Sequence, residues 1–242
     1  MKRPAFAGLA LLAALGLSAC HKADDAAFGQ RVHAYLMAHP EVIQEASDKL
    51  AEQERQAAQK ASTDAIGKFR AQLERDPRDF VANPNGKVTV VEFFDYRCGY
   101  CKLAAPQVLK MIQDHPEVRF VFKQFPIFGE VSDTAARIAL TPQGKAKGIE
   151  LYQGLMGEKA LDDAALDRHL QALGIDPAAA RRAAQDPAIQ RQLLDDRALA
   201  QSLHIEGTPA FVIGNTLVPG ADIGAVQAAI TVAKASDLQK AA

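Results

Sequence analysis

Residues 88–102 read VTVVEFFDYRCGYCK, and this stretch decides both the fold class and the chemistry to be expected of the chain. Its first half, Val88 to Phe94, consists of β-branched and aromatic residues apart from Glu92. It follows the turn-forming Asn-Pro-Asn-Gly, and a run of this kind after a turn predicts a buried strand. Two cysteines, Cys98 and Cys101, come soon after it. The stretch therefore predicts a pair of thiols at the end of a buried strand.

The segments that follow the cysteines predict a mixed α/β fold. We expect a helix from about Cys98 through Ile112 and a second strand at Val118–Phe125. A strand, a helix and a strand at these spacings are typical of a parallel βαβ unit. The chain then reads as helical from Ser132 to about His204. It closes with a hairpin and a last helix, which we place at Ala210–Ile213, Thr216–Val218 and about Ala221–Ala235.

The region before this unit has a helical pattern. From Asp24 to about Asp79 apolar residues recur at three- and four-residue steps, most clearly between residues 28 and 50. Pro40 is expected to separate a short helix from a longer one that starts near Glu41. The region can be a solvated spacer, or a stalk through which the stripe at 28–50 packs against copies of itself. We favour self-association.

The first 19 residues have the layout of a bacterial export signal. Two basic residues precede the apolar run Ala5–Leu17, which is shorter than the about 20 residues that a membrane span needs. The sequence LSAC, ending at Cys20, resembles the lipobox of bacterial lipoproteins and implies lipidation of Cys20. The alternative is ordinary cleavage that leaves Cys20 as a stray thiol. We expect a periplasmic protein that meets the membrane only by a lipid anchor, and His21 favours the outer membrane.

The composition excludes several classes of protein. The chain has 242 residues, 48% of them hydrophobic and 24% charged, which is ordinary for a globular protein. A net charge of −1 argues against a nucleic-acid partner, which would require a basic face. Three cysteines are too few for a disulfide-stapled scaffold or a four-thiolate zinc site. We expect no cofactor and no resident metal.

The motif Cys-Gly-Tyr-Cys at residues 98–101 points to redox chemistry. At a helix N-terminus, free N–H groups and the helix dipole stabilise a thiolate on Cys98, and Arg97 and Lys102 add positive charge. Cys98 is then the attacking thiol, and Cys101 resolves the mixed disulfide. Half of a metal site would need two more soft ligands. A structural Cys98–Cys101 disulfide would close only a small loop, so redox catalysis is the leading interpretation.

Two separated motifs resemble the DsbA-like thioredoxin-fold oxidoreductases. Val91–Lys102 carries the first motif and Gly207–Phe211, which reads GTPAF, carries the second. The resemblance covers about residues 88–235 and implies a thioredoxin-like α/β fold with a helical insertion at about 131–205. We therefore divide the chain into a signal peptide at 1–19, a helical stalk at 20–86 and a DsbA-like thioredoxin domain at 87–236.

The resemblance also implies roles for individual residues. Pro209 is expected to form a cis-proline loop that faces the dithiol, with Thr208 at the position that tunes the nearby sulfur. These two residues, together with Gly99 and Tyr100, are expected to contact the substrate. Glu92 matches the acidic residue below the active site, and we expect it to accept the proton of Cys101. The alternative for Glu92 is a surface position at a strand edge.

The dipeptide between the cysteines bears on the subtype. Gly99-Tyr100 replaces the Pro-His of strongly oxidising DsbA and occurs in periplasmic disulfide isomerases. Glu41-Val42-Ile43 and the helix after it resemble the stalk of the suppressor-of-copper-sensitivity C branch and of Com1-like proteins. Some members of that branch are expected to be oligomeric isomerases, in which several catalytic domains hold one substrate.

Three functions are compatible with these observations. The leading hypothesis is an exported thiol:disulfide oxidoreductase or isomerase that acts on cysteine-containing exported proteins, with a DsbD-like or DsbB-like membrane partner. The second is a metal-handling lipoprotein whose thiolates share Cu(I). The third is a surface lipoprotein that binds through its stalk and keeps a vestigial dithiol. No motif of a hydrolase or of a phosphate-binding loop is present in the sequence.

Overall fold

The computed structural model describes residues 17–241, with side chains described for residues 25–236. The chain divides into two compact units, residues 1–58 and residues 59–242. Residues 1–16 of the predicted signal peptide lie outside the described part of the chain, and so does the side chain of Cys20. The signal and the lipidation site therefore stay predictions.

The first unit is built from helices. It contains helix α1 (Leu17–Ala38) and the beginning of helix α2 (Glu41–Glu74). The predicted break at Pro40 is confirmed: the N–H of His39 still donates to Tyr35, and α2 starts immediately after the proline. Large apolar side chains on this unit are exposed to solvent: Phe28, Val32, Tyr35, Met37, Ile43 and Leu50.

The second unit contains a five-stranded mixed sheet in the order β1-β3-β2-β4-β5. Strands β2 and β3 are parallel, whereas the other neighbours are antiparallel. The predicted βαβ unit and C-terminal hairpin are thus confirmed, but β1 was not predicted, since three residues are too few to show an alternating pattern. The strands are β1 (Phe80–Ala82), β2 (Val88–Phe94), β3 (Val118–Gln124), β4 (Ala210–Ile213) and β5 (Thr216–Pro219).

Helices cover both faces of the sheet. Helix α3 (Gly99–Asp114) connects β2 with β3, and helix α10 (Ile223–Ala241) follows β5. Six helices between β3 and β4 form the helical insertion that the resemblance implied. They are α4 (Glu130–Leu140), α5 (Pro142–Ala146), α6 (Gly148–Gly157), α7 (Asp163–Ala172), α8 (Pro177–Ala183) and α9 (Pro187–Ser202). Among the described residues, no helix is long and apolar enough to cross a membrane.

The last turns of α2 belong to the core of this unit. Ile66 and Leu73 are 1% and 0% exposed and pack with Val91 and Phe93 of β2. The second compact unit begins at Gln59 and therefore includes these turns, while the boundary after residue 86 stays a prediction. The described chain is thus a thioredoxin-like fold with a helical insertion, preceded by N-terminal helices.

Candidate active site

The two cysteines lie where strand β2 is followed by helix α3. Cys98 is the N-cap of α3, so the helix begins at Gly99, in line with the predicted start. The backbone N–H of Cys101 donates to the Cys98 sulfur over 3.4 Å. The sulfurs are not bonded to each other, so the structure represents the reduced pair. Cys98 thus lies at the positive end of the helix, where a thiolate is favoured.

The surroundings of Cys98 favour its ionised form. Hydrogen bonds from the Cys101 thiol and from the backbone N–H groups of Cys101 and Tyr100 outweigh the effect of burial and lower the pKa of Cys98 to about 5. Cys98 is therefore a thiolate at neutral pH, which is the reactive form. The residue is 2% exposed, so a substrate disulfide reaches the sulfur over a small area.

Cys101 has the opposite character. It is fully buried, and burial, the hydrogen bond with the Cys98 sulfur and the nearby Glu92 all raise the pKa of its thiol. Cys101 therefore stays protonated at neutral pH. One reactive thiolate beside one protonated, buried thiol is the arrangement that thiol–disulfide exchange requires of an attacking and a resolving cysteine.

Glu92 is a buried carboxyl group below this pair. It lies on β2 with 1% exposure, which excludes the surface position considered as an alternative. The Tyr152 hydroxyl donates to its two carboxylate oxygens, at 3.1 Å from each. Burial is the main reason why the pKa of Glu92 is raised to about 8; the Tyr152 hydrogen bond opposes this, and the Cys98 charge adds to it. Such a carboxyl group can exchange a proton near neutral pH.

The second motif lies against the first. The Thr208–Pro209 peptide bond is cis, as the resemblance implies, and immediately precedes β4. The Cys98 sulfur lies 3.1 Å from the carbonyl oxygen of Thr208, to which it donates only when it is protonated. The Pro209 carbonyl accepts from Gly220 over 2.8 Å, which attaches the loop to the end of β5. The fold thus brings together residues that are about 110 positions apart.

An exposed apolar surface adjoins the cysteines. Tyr100 and Leu103 on the first turns of α3 are 67% and 71% exposed, and Ile127 and Phe128 in the loop after β3 are 40% and 46% exposed. Gly99 is exposed as well. Aromatic and aliphatic side chains that remain exposed beside a reactive group are suited to hold an apolar part of another chain.

Asp95 is a site residue that the sequence reasoning missed. Its buried carboxylate accepts four hydrogen bonds, at 2.6 to 3.0 Å, from the N–H groups of Arg97, Ile127 and Phe128 and from the Ser132 hydroxyl. Asp95 thereby attaches the exposed apolar loop after β3 to the turn that carries Cys98. The available signal was its polar side chain directly after a buried strand. For Tyr152 there was no signal, since it lies in an amphipathic helix of the insertion.

The two cations beside the motif are used differently from the prediction. Lys102 donates to the carbonyl oxygens of Leu155 and Glu158 at the end of α6, and Arg97 donates to the carbonyl oxygen of Phe128. Neither is among the main causes of the lowered Cys98 pKa, which are hydrogen bonds. Among the described residues, no group of three or more His, Cys, Asp or Glu side chains is placed to hold a metal ion.

A family model that matches more than half of the chain identifies the family. The model of the DSBA-like thioredoxin domain matches residues 89–226, and that of the copper resistance protein ScsC N-terminal domain matches residues 24–59. The chain therefore belongs to the DsbA-like thioredoxin family, a family of thiol:disulfide oxidoreductases.

Solved structures and the curated DsbA proteins agree with this. BcfH of Salmonella enterica Typhimurium is 31% identical with a TM-score of 0.72, over 90% of this chain and 99% of that one. ScsC of Proteus mirabilis is 27% identical with a TM-score of 0.66, over 89% and 99%. DsbA of Bordetella pertussis is 28% identical over 53% of this chain and 64% of its own. The chain spans 26% of another curated relative, the sodium–proton antiporter NhaA 3 of Salinispora tropica.

Proposed function

We propose that this chain is an exported thiol:disulfide oxidoreductase that acts on protein disulfides through Cys98 and Cys101. The observation that carries the proposal is the opposite character of the two thiols: the pKa of Cys98 is about 5, and that of buried Cys101 is raised. The Cys98 thiolate attacks a substrate disulfide, forms a mixed disulfide and releases one substrate thiolate. Cys101 then loses its proton and attacks the Cys98 sulfur, which closes the Cys98–Cys101 disulfide and releases the second thiolate.

The same thiol–disulfide exchange can serve an oxidase or an isomerase, which differ in whether the Cys98–Cys101 pair is kept oxidised or reduced. The dipeptide between the cysteines favours the isomerase. In the oxidase direction a substrate thiolate opens the Cys98–Cys101 disulfide, and a DsbB-like partner must reoxidise the pair. In the isomerase direction a DsbD-like membrane reductase keeps the pair reduced. Because Gly99-Tyr100 lacks the Pro-His of strong oxidases, we favour the isomerase role.

The proposed substrates are cysteine-containing exported proteins in a non-native state. Such chains expose apolar side chains, which the surface formed by Tyr100, Leu103, Ile127 and Phe128 can hold beside Cys98. Thr208 and Pro209 would contact the substrate backbone on the other side of the sulfur. This arrangement selects for unfolded segments rather than for a particular sequence.

The N-terminal helices are proposed to join copies of the chain. Six large apolar side chains are exposed on the first unit, and burying them between copies would remove this apolar surface from water. The match of residues 24–59 to the ScsC N-terminal domain supports a shared role for this region. Several catalytic domains on one oligomer could then hold a single misfolded substrate while its disulfides rearrange.

We further propose that the chain resides in the periplasm, attached to the outer membrane by lipid on Cys20. The lipobox at residues 17–20 and the non-aspartate residue His21 support this. Metabolic labelling with a palmitate analogue tests it. We expect labelled wild-type protein and unlabelled Cys20→Ser protein, and an unlabelled wild type would refute lipidation.

The experiment that tests the main proposal combines two measurements on the same protein. Thiol trapping in cells reports the redox state of Cys98–Cys101, and refolding of scrambled ribonuclease reports isomerisation. For an isomerase we expect a largely reduced pair and restored ribonuclease activity, both absent with Cys98→Ser. A fully oxidised pair in cells would refute the isomerase role, and the absence of exchange with any protein disulfide would refute the oxidoreductase.

The competing proposal is a Cu(I)-handling protein. The description of the matching N-terminal family model as that of a copper resistance protein favours a link to copper. Within the described residues one chain offers two thiol groups at a single site, so tight Cu(I) binding would need ligands from more than one copy. Stoichiometric Cu(I) binding, together with inactivity on scrambled ribonuclease, would favour this role over thiol–disulfide exchange.

A further inference from the structure

The hydroxyl of Tyr152 is directed at the proposed proton acceptor of the reaction. Tyr152 lies on helix α6 of the insertion, is 1% exposed and donates to both oxygens of Glu92 over 3.1 Å. Its ring is fixed by Phe94 and Phe122, with centroids 5.3 and 5.0 Å away. The donor is thus held in one place by close packing.

We propose that Tyr152 is a positioning residue that increases the ionised fraction of the Glu92 carboxyl group, so that Glu92 can take the proton of Cys101. This inference rests on the proposed function. The step it assists is the resolution of the mixed disulfide. The Cys101 S–H proton passes to Glu92, directly or through one water. The Cys101 thiolate then bonds to the Cys98 sulfur, and the substrate sulfur leaves with the electron pair.

Among the described neighbours of Glu92, Tyr152 is the one whose side chain donates a hydrogen bond to the carboxylate. Its partners in register on β3 and β4 are Phe122 and Phe211, which carry no donor. The ionisable groups that interact with Glu92 are Cys98 and Cys101 of the α3 turn, Tyr152 of α6 and Tyr96 after β2. Of these, Tyr152 has hydrogen bonds to the carboxylate, whereas the Tyr96 hydroxyl accepts from Gln124 over 3.5 Å.

Loss of the donor should therefore change the protonation of Glu92. A hydrogen bond to a carboxylate favours the charged form, and here the Tyr152 bond lowers a pKa that burial raises to about 8. Tyr152→Phe removes the hydroxyl and keeps the ring. We expect the pKa of Glu92 to rise by about one unit, which lowers the ionised fraction below the pKa about tenfold.

The test uses Ellman's disulfide, because it separates the two thiols in time. In a Cys20→Ser background, which removes the third thiol of the chain, the reduced protein releases one coloured thiolate when Cys98 attacks the reagent and a second when Cys101 resolves the mixed product. In stopped flow, we expect Tyr152→Phe to leave the first phase unchanged. The second phase should slow about tenfold near pH 7, and its pH midpoint should move upward by about one unit.

Two controls separate this effect from loss of packing. Tyr96→Phe removes a buried hydroxyl from the same aromatic cluster, so both of its phases should match those of the wild type. In a Glu92→Gln background, Tyr152→Phe should cause no further slowing of the second phase. An unshifted midpoint in Tyr152→Phe, or equal slowing in the Glu92→Gln background, would overturn the proposal.

A measurement on the wild type covers the case in which Tyr152→Phe does not fold. The carboxyl carbon resonance of Glu92, followed by NMR in the mixed-disulfide state, should titrate at the midpoint of the second phase. Titration at an unrelated pH would contradict the proposal. If the wild type fails to exchange with protein disulfides while Glu92 still responds to Tyr152, the proposed function fails and the tyrosine–carboxylate coupling stands.

Discussion

At the scale of single residues, the site depends on how one sulfur stabilises the other. The hydrogen bond from the Cys101 thiol is the largest cause of the low Cys98 pKa, larger than the contribution of any backbone group. The reactivity of Cys98 therefore depends mainly on the buried thiol of Cys101.

This leads to a prediction for Cys101. Cys101→Ala removes the donor, so we expect the Cys98 pKa to rise by at least about one unit. Cys101→Ser keeps an O–H donor at the same place and should keep the Cys98 pKa within about half a unit of the wild type. The ultraviolet absorbance of the thiolate against pH measures both values. Equal pKa values in the two variants would contradict the argument.

Site residues that lie close together in the sequence could be predicted, whereas contacts between residues that are far apart in the sequence could not. Cys98, Cys101 and Glu92 lie on one short stretch whose pattern shows the strand and the helix start. Lys123 shows the opposite case: its strand was predicted, but its burial was not. Its ammonium lies 2.7 Å from Asp79 and 3.2 Å from Asp196, fully buried. A buried charge needs such partners, and they come from distant parts of the chain.

At the scale of the elements, the loop after β3 depends on one carboxylate. One oxygen of Asp95, Oδ2, accepts the N–H groups of Ile127 and Phe128, and the other, Oδ1, accepts the Arg97 N–H and the Ser132 hydroxyl. Asp95→Asn keeps only one acceptor oxygen, so one of these two pairs of donors would face an NH₂ group. We expect a loss of about 2 kcal/mol in the free energy of unfolding. Chemical denaturation measures it.

Asp133 provides the matched control for Asp95. It lies at the start of α4 with a 40% exposed side chain and a surface ion pair to Arg137. Asp133→Asn should therefore cost less than about 1 kcal/mol. Equal losses in the two variants would mean that Asp95 acts only as another surface charge.

In the turn between β1 and β2, the backbone of β3 lies so close to Gly86 that there is no room for a side chain. A Cβ on Gly86 would lie 2.4 Å from the backbone nitrogen of Arg119 on β3, a distance that requires the strand to move. We expect Gly86→Ala to lower the free energy of unfolding by about 2 kcal/mol or more. Gly67, exposed within α2, has nothing within 4 Å, so Gly67→Ala should stabilise by up to about 1 kcal/mol. Two thermal unfolding curves decide this, and a neutral Gly86→Ala would contradict the steric argument.

At the scale of the whole molecule, the layout could be predicted from the sequence, whereas the burial of individual apolar residues of α2 could not. The order of a βαβ unit, a helical block and a final hairpin and helix followed from turn signals and apolar periods. The burial of the last turns of α2 did not follow from the sequence, because α2 keeps one helical pattern while its surroundings change from solvent to core. Ile66 looks like Ile43 in sequence, yet one is 1% and the other 59% exposed.

The exposed stripe of the first unit leads to a prediction about assembly. We expect the mature wild-type protein to sediment as an oligomer, and Tyr35→Glu with Ile43→Glu to dissociate it by placing charge on the apolar face. The dissociated form should still react with Ellman's disulfide and lose isomerisation of scrambled ribonuclease. Gln30→Glu with Gln53→Glu adds the same charge at exposed polar positions and should change neither. A monomeric wild-type protein would refute the proposal that the N-terminal helices join copies of the chain.

The burial of Glu92 near Cys98 has a consequence for the order of events in one catalytic cycle. In the free reduced protein the negative Cys98 sulfur raises the pKa of Glu92 and so favours its protonated form. Once Cys98 is bonded to a substrate, that charge is gone, and the Glu92 pKa should fall. A larger fraction of Glu92 is then ionised, and therefore able to accept a proton, at the moment when Cys101 has to give up its own. An idle enzyme would thus keep its second thiol protonated, and capture of the substrate would itself prepare the step that releases it.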